Sequence, residues 1–114
     1  MKKPRNKFEL DGFKHLTKKK IKFEYEAQKI PYIFSGHYIP DFTIHKTRDT
    51  MLVEYKGYFR PEDKRKLAAV KKCHPALDIR IVFYSYNKAS VRWADKHGFP
   101  WALKSIPDEW LKDD

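Results

Sequence analysis

Glu54 and Lys56 stand two residues apart in Met51-Leu-Val-Glu-Tyr-Lys56, a run that reads as a strand ended by Gly57. Side chains alternate across a strand. Met51, Val53 and Tyr55 therefore share one face, and Leu52, Glu54 and Lys56 share the other. Taken alone, this is an ordinary solvated Glu–Lys pair on an edge strand, worth little. Pro40-Asp41 changes the reading. Asp41 opens the preceding extended run, Asp41 to Ile44, a hairpin away, with twelve residues between it and Glu54. Two carboxylates so placed can share a divalent cation, and hard oxygen ligands suit Mg²⁺ or Mn²⁺. A nearby ammonium can then orient or deprotonate a water, or balance charge on a phosphate. Metal, activated water and positioned cation are the set that phosphodiester hydrolysis requires.

Glu9 is a third candidate. Residues 8–20 read as a helix in which Leu10, Phe13 and Leu16 repeat at a spacing of three. At 100° per residue, Phe13 lies about 40° from Glu9 and Leu16 about 20° away on the other side, so Glu9 falls within the apolar stripe. A carboxylate there is costly unless it meets a cation or donors. A glutamate at a helix start is also favoured by the helix dipole and can stay solvated. With Asp41 and Glu54 present, a carboxylate turned toward the site is the better reading. Gly12 costs this helix about 1 kcal/mol.

The elements that must position these groups are read from periodicity and punctuation. Residues 21–26 alternate, with Ile21, Phe23 and Tyr25 on one face and Lys22, Glu24 and Glu26 on the other, as in a half-buried strand. Residues 27–40 read as a connection with extended pieces, Ser35-Gly36 marking a turn. Strands are expected over 41–44 and 51–56. Pro61, with Glu62 and Asp63, starts a helix that runs to about Cys73, where His74-Pro75 stops it. Asp78 to Ser85 suits a central strand. Asn87 caps a last helix that Gly98 ends, and Ser105 to Trp110 reads as a terminal turn or short helix that docks Trp110. The order is helix, three strands, helix, strand, helix: an α/β layout with a mixed sheet flanked by helices. One domain over 1–114 is expected, with a flexible basic arm over 1–7.

The charge points to a polyanion. The 114 residues carry a formal net charge of +10, which favours DNA, RNA or an anionic membrane surface and predicts binding that weakens with salt. The 41% hydrophobic and 16% aromatic content argue for a folded globule rather than a disordered basic tail. No apolar run approaches a membrane span and no secretory signal is evident, so a cytosolic protein without a membrane partner is expected. A single cysteine, Cys73, excludes an intrachain disulfide and a cysteine-built zinc site. Lys18, Lys19 and Lys20, the cluster Lys64, Arg65 and Lys66, and the pair Lys71 and Lys72 are candidate phosphate contacts, as well as plain solvated helix faces. His37 and His45 read as solvated loop residues, and Trp93, Trp101 and Trp110 as packing residues.

Pro40-Asp41 and Glu54-Tyr55-Lys56 resemble the signature of the PD-(D/E)xK, restriction-endonuclease-like nuclease superfamily. Further blocks resemble a narrower family, the phage endonuclease I type of Holliday junction resolvase: Ile21-Lys-Phe-Glu-Tyr-Glu26, Pro31-Tyr32, Pro40-Asp-Phe42, Val53-Glu-Tyr-Lys-Gly57, His74-Pro75, Leu77-Asp-Ile-Arg-Ile-Val-Phe83, Lys96-His-Gly98 and Ile106-Pro-Asp-Glu-Trp110. The resemblance implies that Glu9, Asp41 and Glu54 bind metal, that Lys56 is the catalytic lysine, and that Mg²⁺ is the cofactor, with Mn²⁺ able to replace it. It implies an intertwined, segment-swapped homodimer in which Glu9 of one subunit completes a site made by Asp41, Glu54 and Lys56 of the other. The segment over 27–40 would be the bridge. Branched DNA, above all four-way junctions, would be the substrate, read by shape through its backbone. The stretch between Tyr32 and Pro40 and the one after Tyr84 are short for the family. Alternatives are another nuclease of the superfamily, such as a repair nickase or a transposon end-cleaving subunit, and a non-catalytic DNA-binding module.

Overall fold

A computed structural model describes residues 3–32 and 36–113, with only the backbone of Tyr32. Met1, Lys2 and Ser35, which fall within the expected arm and turn, lie outside the described residues.

Asn6 begins the first helix, α1 (Lys7–Lys18), and its side-chain oxygen accepts a hydrogen bond from the Glu9 backbone N–H at 2.9 Å. Three short strands follow: β1 (Phe23–Tyr25), β2 (Ile30–Tyr32) and β3 (Gly36–Tyr38). After them come β4 (Phe42–His45) and β5 (Thr50–Lys56). Helix α2 (Pro61–Cys73) starts at the expected proline and precedes β6 (Asp78–Phe83). Helix α3 (Lys88–Lys96) is capped by Asn87 as expected, and is followed by β7 (Trp101–Leu103) and a 3₁₀ turn over Asp108–Leu111.

The five-stranded sheet has the order β1-β4-β5-β6-β7. Strands β1, β4 and β5 pair antiparallel, while β5, β6 and β7 run parallel. The mixed α/β sheet is therefore present, with one strand more than periodicity indicated. At three residues β7 is too short to display an alternation. Strand β5 sits at the centre rather than at an edge, which removes the solvated Glu–Lys reading of its polar pair. Strands β2 and β3 form a separate hairpin within the expected connection, and it packs on α2.

Each face of the sheet has its own core. Leu52, Ile79, Ile81 and Phe83 meet α2 and α3 through Leu67, Val70, Val91 and Ala94. Met51, Val53, Tyr55 and Val82 meet α1 and β1 through Leu16 and Tyr25. The alternation expected for β5 thus holds through its length. Trp93 and Trp101 pack against the first core and Trp110 against the second.

The stripe on α1 is rotated from the one expected. Leu10 is exposed, and the buried positions are Glu9, Gly12 and Leu16. The reason is Gly12: a Cβ placed there would stand 2.8 Å from the Tyr55 ring. The glycine that weakens the helix locally is what lets α1 lie directly on β5. Within the one chain, α1 and β1 close on their own β4 and β5, so Glu9 reaches the Asp41 of its own chain.

Gly12→Ala should therefore destabilise the fold by about 1 to 3 kcal/mol through overpacking, although alanine is the better helix former. Urea denaturation measures the sign; a variant more stable than the parent would refute the close contact.

Candidate active site

Strand register brings three acidic positions abreast. The ladder between β4 and β5 begins at Phe42 and Val53, so Asp41 stands opposite Glu54. The ladder between β1 and β4 ends at Tyr25 and Phe42, and the Glu26 N–H continues it by donating to the Asp41 carbonyl at 3.1 Å. Glu26, Asp41 and Glu54 thus lie in a row across three strands, and Glu9 comes down onto the row from the first turn of α1.

Each carboxylate is held by named donors. The Asp41 N–H donates to Glu54 Oε1 at 3.1 Å, and Asp41 Oδ2 accepts from the Tyr55 N–H at 2.8 Å. Glu9 Oε2 accepts from Asn6 Nδ2 at 3.1 Å, and Glu9 Oε1 accepts from the Tyr25 hydroxyl. With Asn6 also accepting from the Glu9 N–H, the helix cap and the acidic residue fix each other. Glu9, Asp41 and Glu54 are all buried, at 4%, 1% and 5% exposure. Oxygens of Glu9, Glu26 and Asp41 lie within 4.8 Å of one another.

Lys56 Nζ lies 3.6 Å from Glu54 Oε2 and 3.3 Å from Asp63 Oδ1. The other Asp63 oxygen accepts from the Arg60 N–H at 3.1 Å, so the first turn of α2 anchors the lysine's partner. Arg5, Glu54, Lys56 and Lys66 line a cleft of about 180 Å³. Burial and the neighbouring Glu54 carboxylate raise the Tyr38 hydroxyl well above its ordinary value.

The electrostatics follow from crowding. Burial, then the charges of Glu54 and Glu9, push the Asp41 carboxyl up to about 8. Burial likewise raises Glu54, against the opposing influence of Lys56 and the Asp41 N–H. Burial opposes the charge on Lys56, yet Glu54, Asp63 and Asp41 outweigh it and hold the ammonium above the ordinary lysine value. In the metal-free chain Lys56 is thus a fixed cation rather than a base. Hard oxygen donors short of positive charge suit Mg²⁺ or Mn²⁺.

Sequence reasoning nominated Glu9, Asp41, Glu54 and Lys56, and the structure brings all four to one end of the sheet. Glu26 joins them, although alternation puts it with Lys22 and Glu24 on the polar face of its strand. The alternation holds through Tyr25 and then breaks, because Glu26 adopts φ 48° and turns inward until its side chain is 12% exposed. Arg5, expected within a flexible arm, instead has its guanidinium among the carboxylates. The pair Asn6 and Glu9, spaced as a capping box, was the available signal for both the helix start and the fixed glutamate.

The basic candidates separate. Lys18, Lys19 and Lys20 lie at the far end of α1 from Glu9, about 13 Å along the helix from Glu9 to Lys18, and Lys19 pairs with Asp108 at 2.6 Å. Lys71 donates to the Leu77 carbonyl at 3.4 Å, and Lys64 sits over the Phe59 ring. Arg65 and Lys72 are exposed on α2. Lys66 shares the cleft with Glu54 and Lys56. His37 is exposed, and His45 pairs with Glu24 at 3.3 Å.

A mixed α/β fold with a buried acidic centre and a tethered lysine, on a strongly basic body, is the class these observations define. Comparison with known proteins is specific: the chain belongs to the phage endonuclease I family, whose pattern it matches over residues 2–114. Endonuclease I of Escherichia phage T7 is 40% identical over 111 residues, covering 88% of this chain and 72% of that protein. Endodeoxyribonuclease 1 of Enterobacteria phage T3 is 36% identical over 111 residues, covering 88% and 71%.

The raised Asp41 carboxyl gives a test of the metal-free protein. Folding retains a proton that the unfolded chain gives up near pH 4, so that contribution is full below about pH 4 and is lost as the pH climbs toward about 8. The Tm in chelator should fall between about pH 5 and pH 8, and Asp41→Asn should flatten the slope and raise the Tm at pH 8 by about 5 °C. A variant that melts below the parent at both pH values would contradict the crowding.

Proposed function

We propose that this chain is a structure-selective DNA endonuclease that resolves or debranches four-way junctions and other branched DNA by Mg²⁺-dependent hydrolysis of phosphodiester bonds. The observation that carries the reading is the convergence of Asp41, Glu54 and Lys56, with Glu9 close to Asp41, beside a cleft that Glu54 and Lys56 line. Membership of a family of phage endonucleases, with a relative named for deoxyribonuclease activity, supports DNA as the substrate.

Asp41, Glu54 and Glu9 would hold the divalent ion, with Mn²⁺ able to replace Mg²⁺. When bound, the ion supplies charge neutralisation at the phosphate and a more acidic water. The chain's own residues do the rest. Asp41 is aimed by the Tyr55 N–H, Glu54 by the Asp41 N–H, and Glu9 by Asn6 and Tyr25. Lys56, kept protonated by its carboxylate neighbours, presents positive charge toward a scissile phosphate in the cleft. Lys66 adds a phosphate contact on the same wall. The net charge of +10 supplies backbone affinity that tracks shape rather than base sequence.

The active species in this reading is a homodimer. Exchange of α1 and β1 across the 27–40 connection would recreate between two copies the contacts now made within one, because the same surfaces meet in either arrangement. No helix among the described residues is long and apolar enough to cross a membrane, in keeping with a phage-encoded enzyme acting in the host cytoplasm.

With a synthetic four-way junction, cleavage should require Mg²⁺ or Mn²⁺ and exceed that of linear duplex at equal salt. Glu54→Ala and Asp41→Ala should each lower cleavage at least about a thousandfold with junction binding retained. Equal cutting of junction and duplex would point to another nuclease of the superfamily, and metal-independent binding without cleavage to a DNA-binding module. Light scattering should return twice the chain mass; a monomer that still cuts would overturn the homodimer.

A further inference from the structure

The acidic row already holds a cation at its Glu9, Glu26 and Asp41 end, and it belongs to the chain. Arg5 Nη2 lies 3.2 Å from Glu9 Oε2 and 3.0 Å from Asp41 Oδ1, while its Nε lies 2.9 Å from Glu26 Oε2. One guanidinium therefore bridges three carboxylates that come from α1, the end of β1 and the start of β4. These are the same three whose oxygens cluster within 4.8 Å, close enough to converge on a single ion. The arginine reaches them from outside: its side chain is 63% exposed, whereas those of Glu9 and Asp41 are at most 5% exposed. Its attachment is short, since Asn6 next to it caps α1 and its own backbone N–H donates to the Tyr25 hydroxyl at 3.3 Å. It has a clear path back to solvent and no packed core to leave.

Guanidinium and a divalent ion would compete for the same place, because both are cations seated among the same three carboxylates and repel each other at contact range. Two ligands that exclude each other lower each other's apparent affinity by the same factor. We infer that Arg5 is an internal counter-ion that occupies the place of the divalent ion in the metal-free protein, with Glu26 as a fourth acidic member of the centre, and that metal loading expels the guanidinium into solvent. The inference rests on the metal-dependent reading above and deepens it. Arg5 keeps the acidic row neutralised while the ion is absent, and it sets a threshold of metal concentration below which the centre stays occupied by the chain itself.

The test uses the full chain, Mn²⁺ titrated by calorimetry, and melting in chelator or in saturating Mn²⁺. Arg5→Ala and Arg5→Gln should each bind Mn²⁺ about tenfold more tightly than the parent, a coupling of ordinary size. Both should melt lower than the parent in chelator and equal to it in saturating Mn²⁺. Adding Glu26→Gln to Arg5→Ala should cancel the gain, because it removes an ion ligand where no arginine is left to release. Unchanged or weaker Mn²⁺ binding by both Arg5 variants, alongside clear binding by the parent, overturns the inference and leaves the metal-dependent reading standing. A double variant that binds as tightly as Arg5→Ala overturns the role given to Glu26. Absence of Mn²⁺ binding by the parent and by every variant overturns both readings together.

Discussion

Four carboxylates gathered at one end of a sheet, three of them buried, repel one another in a medium that screens poorly. Nothing in the packing of a small α/β protein requires that arrangement. Every element around it answers to its cost. Asn6 and Tyr25 donate to Glu9, the Tyr55 and Asp41 backbone N–H groups donate to Asp41 and Glu54, and Arg5 spans three of the acids from outside. Even so, Asp41 keeps an unusual hold on its proton. A residual deficit of positive charge is what a cation-binding centre needs, because a site fully satisfied by its own donors would gain little from an ion.

The fold meets this constraint by placing the acids where backbone donors are still free. Strand β4 starts beside the point where β5 continues paired only with β6, so the Tyr55 N–H and the Asp41 N–H, which a longer ladder would use, turn to carboxylates instead. Two cores brace this end of the sheet from opposite sides. On one side Gly12 lets α1 settle on Tyr55 and carries Glu9 down with it. On the other, α2 packs through Leu67 and Val70, and its first turn ties Lys56 to Asp63. Glu9, Glu54 and Lys56 thus sit within α1 and β5, while Glu26 and Asp41 lie one residue outside the ends of β1 and β4.

Charge is divided by location. The chain as a whole is strongly positive, while the acidic or basic side chains buried among the described residues, Glu9, Asp41 and Glu54, are all carboxylic acids. The surface attracts a polyanion over a distance set by salt. The buried acids attract a small cation at contact range and would repel the same polyanion if left bare. Lys56 and Lys66 on the cleft wall place positive charge beside the acids. The far basic cluster at Lys18 to Lys20 adds to the general field without touching the centre.

Read without its fold, the chain disclosed the groups whose placement follows from local periodicity. Alternation put Glu54 and Lys56 on one face of β5, the 3.6-residue turn put Glu9 under α1, and Pro61 and Asn87 marked helix starts, all because these properties repeat along the backbone at fixed intervals. What lay beyond it depended on contacts between distant segments. Glu26 breaks its strand's alternation through a left-handed φ, and its neighbour Asp41 is set by ladder register. Arg5 is indistinguishable in sequence from any other basic residue of an arm; only the convergence of α1, β1 and β4 makes it a bridge. Gly12 carries a helix penalty in one dimension and a helix–sheet contact in three. Register, backbone strain and close approach are properties of pairs of segments, and no interval along a single segment encodes them.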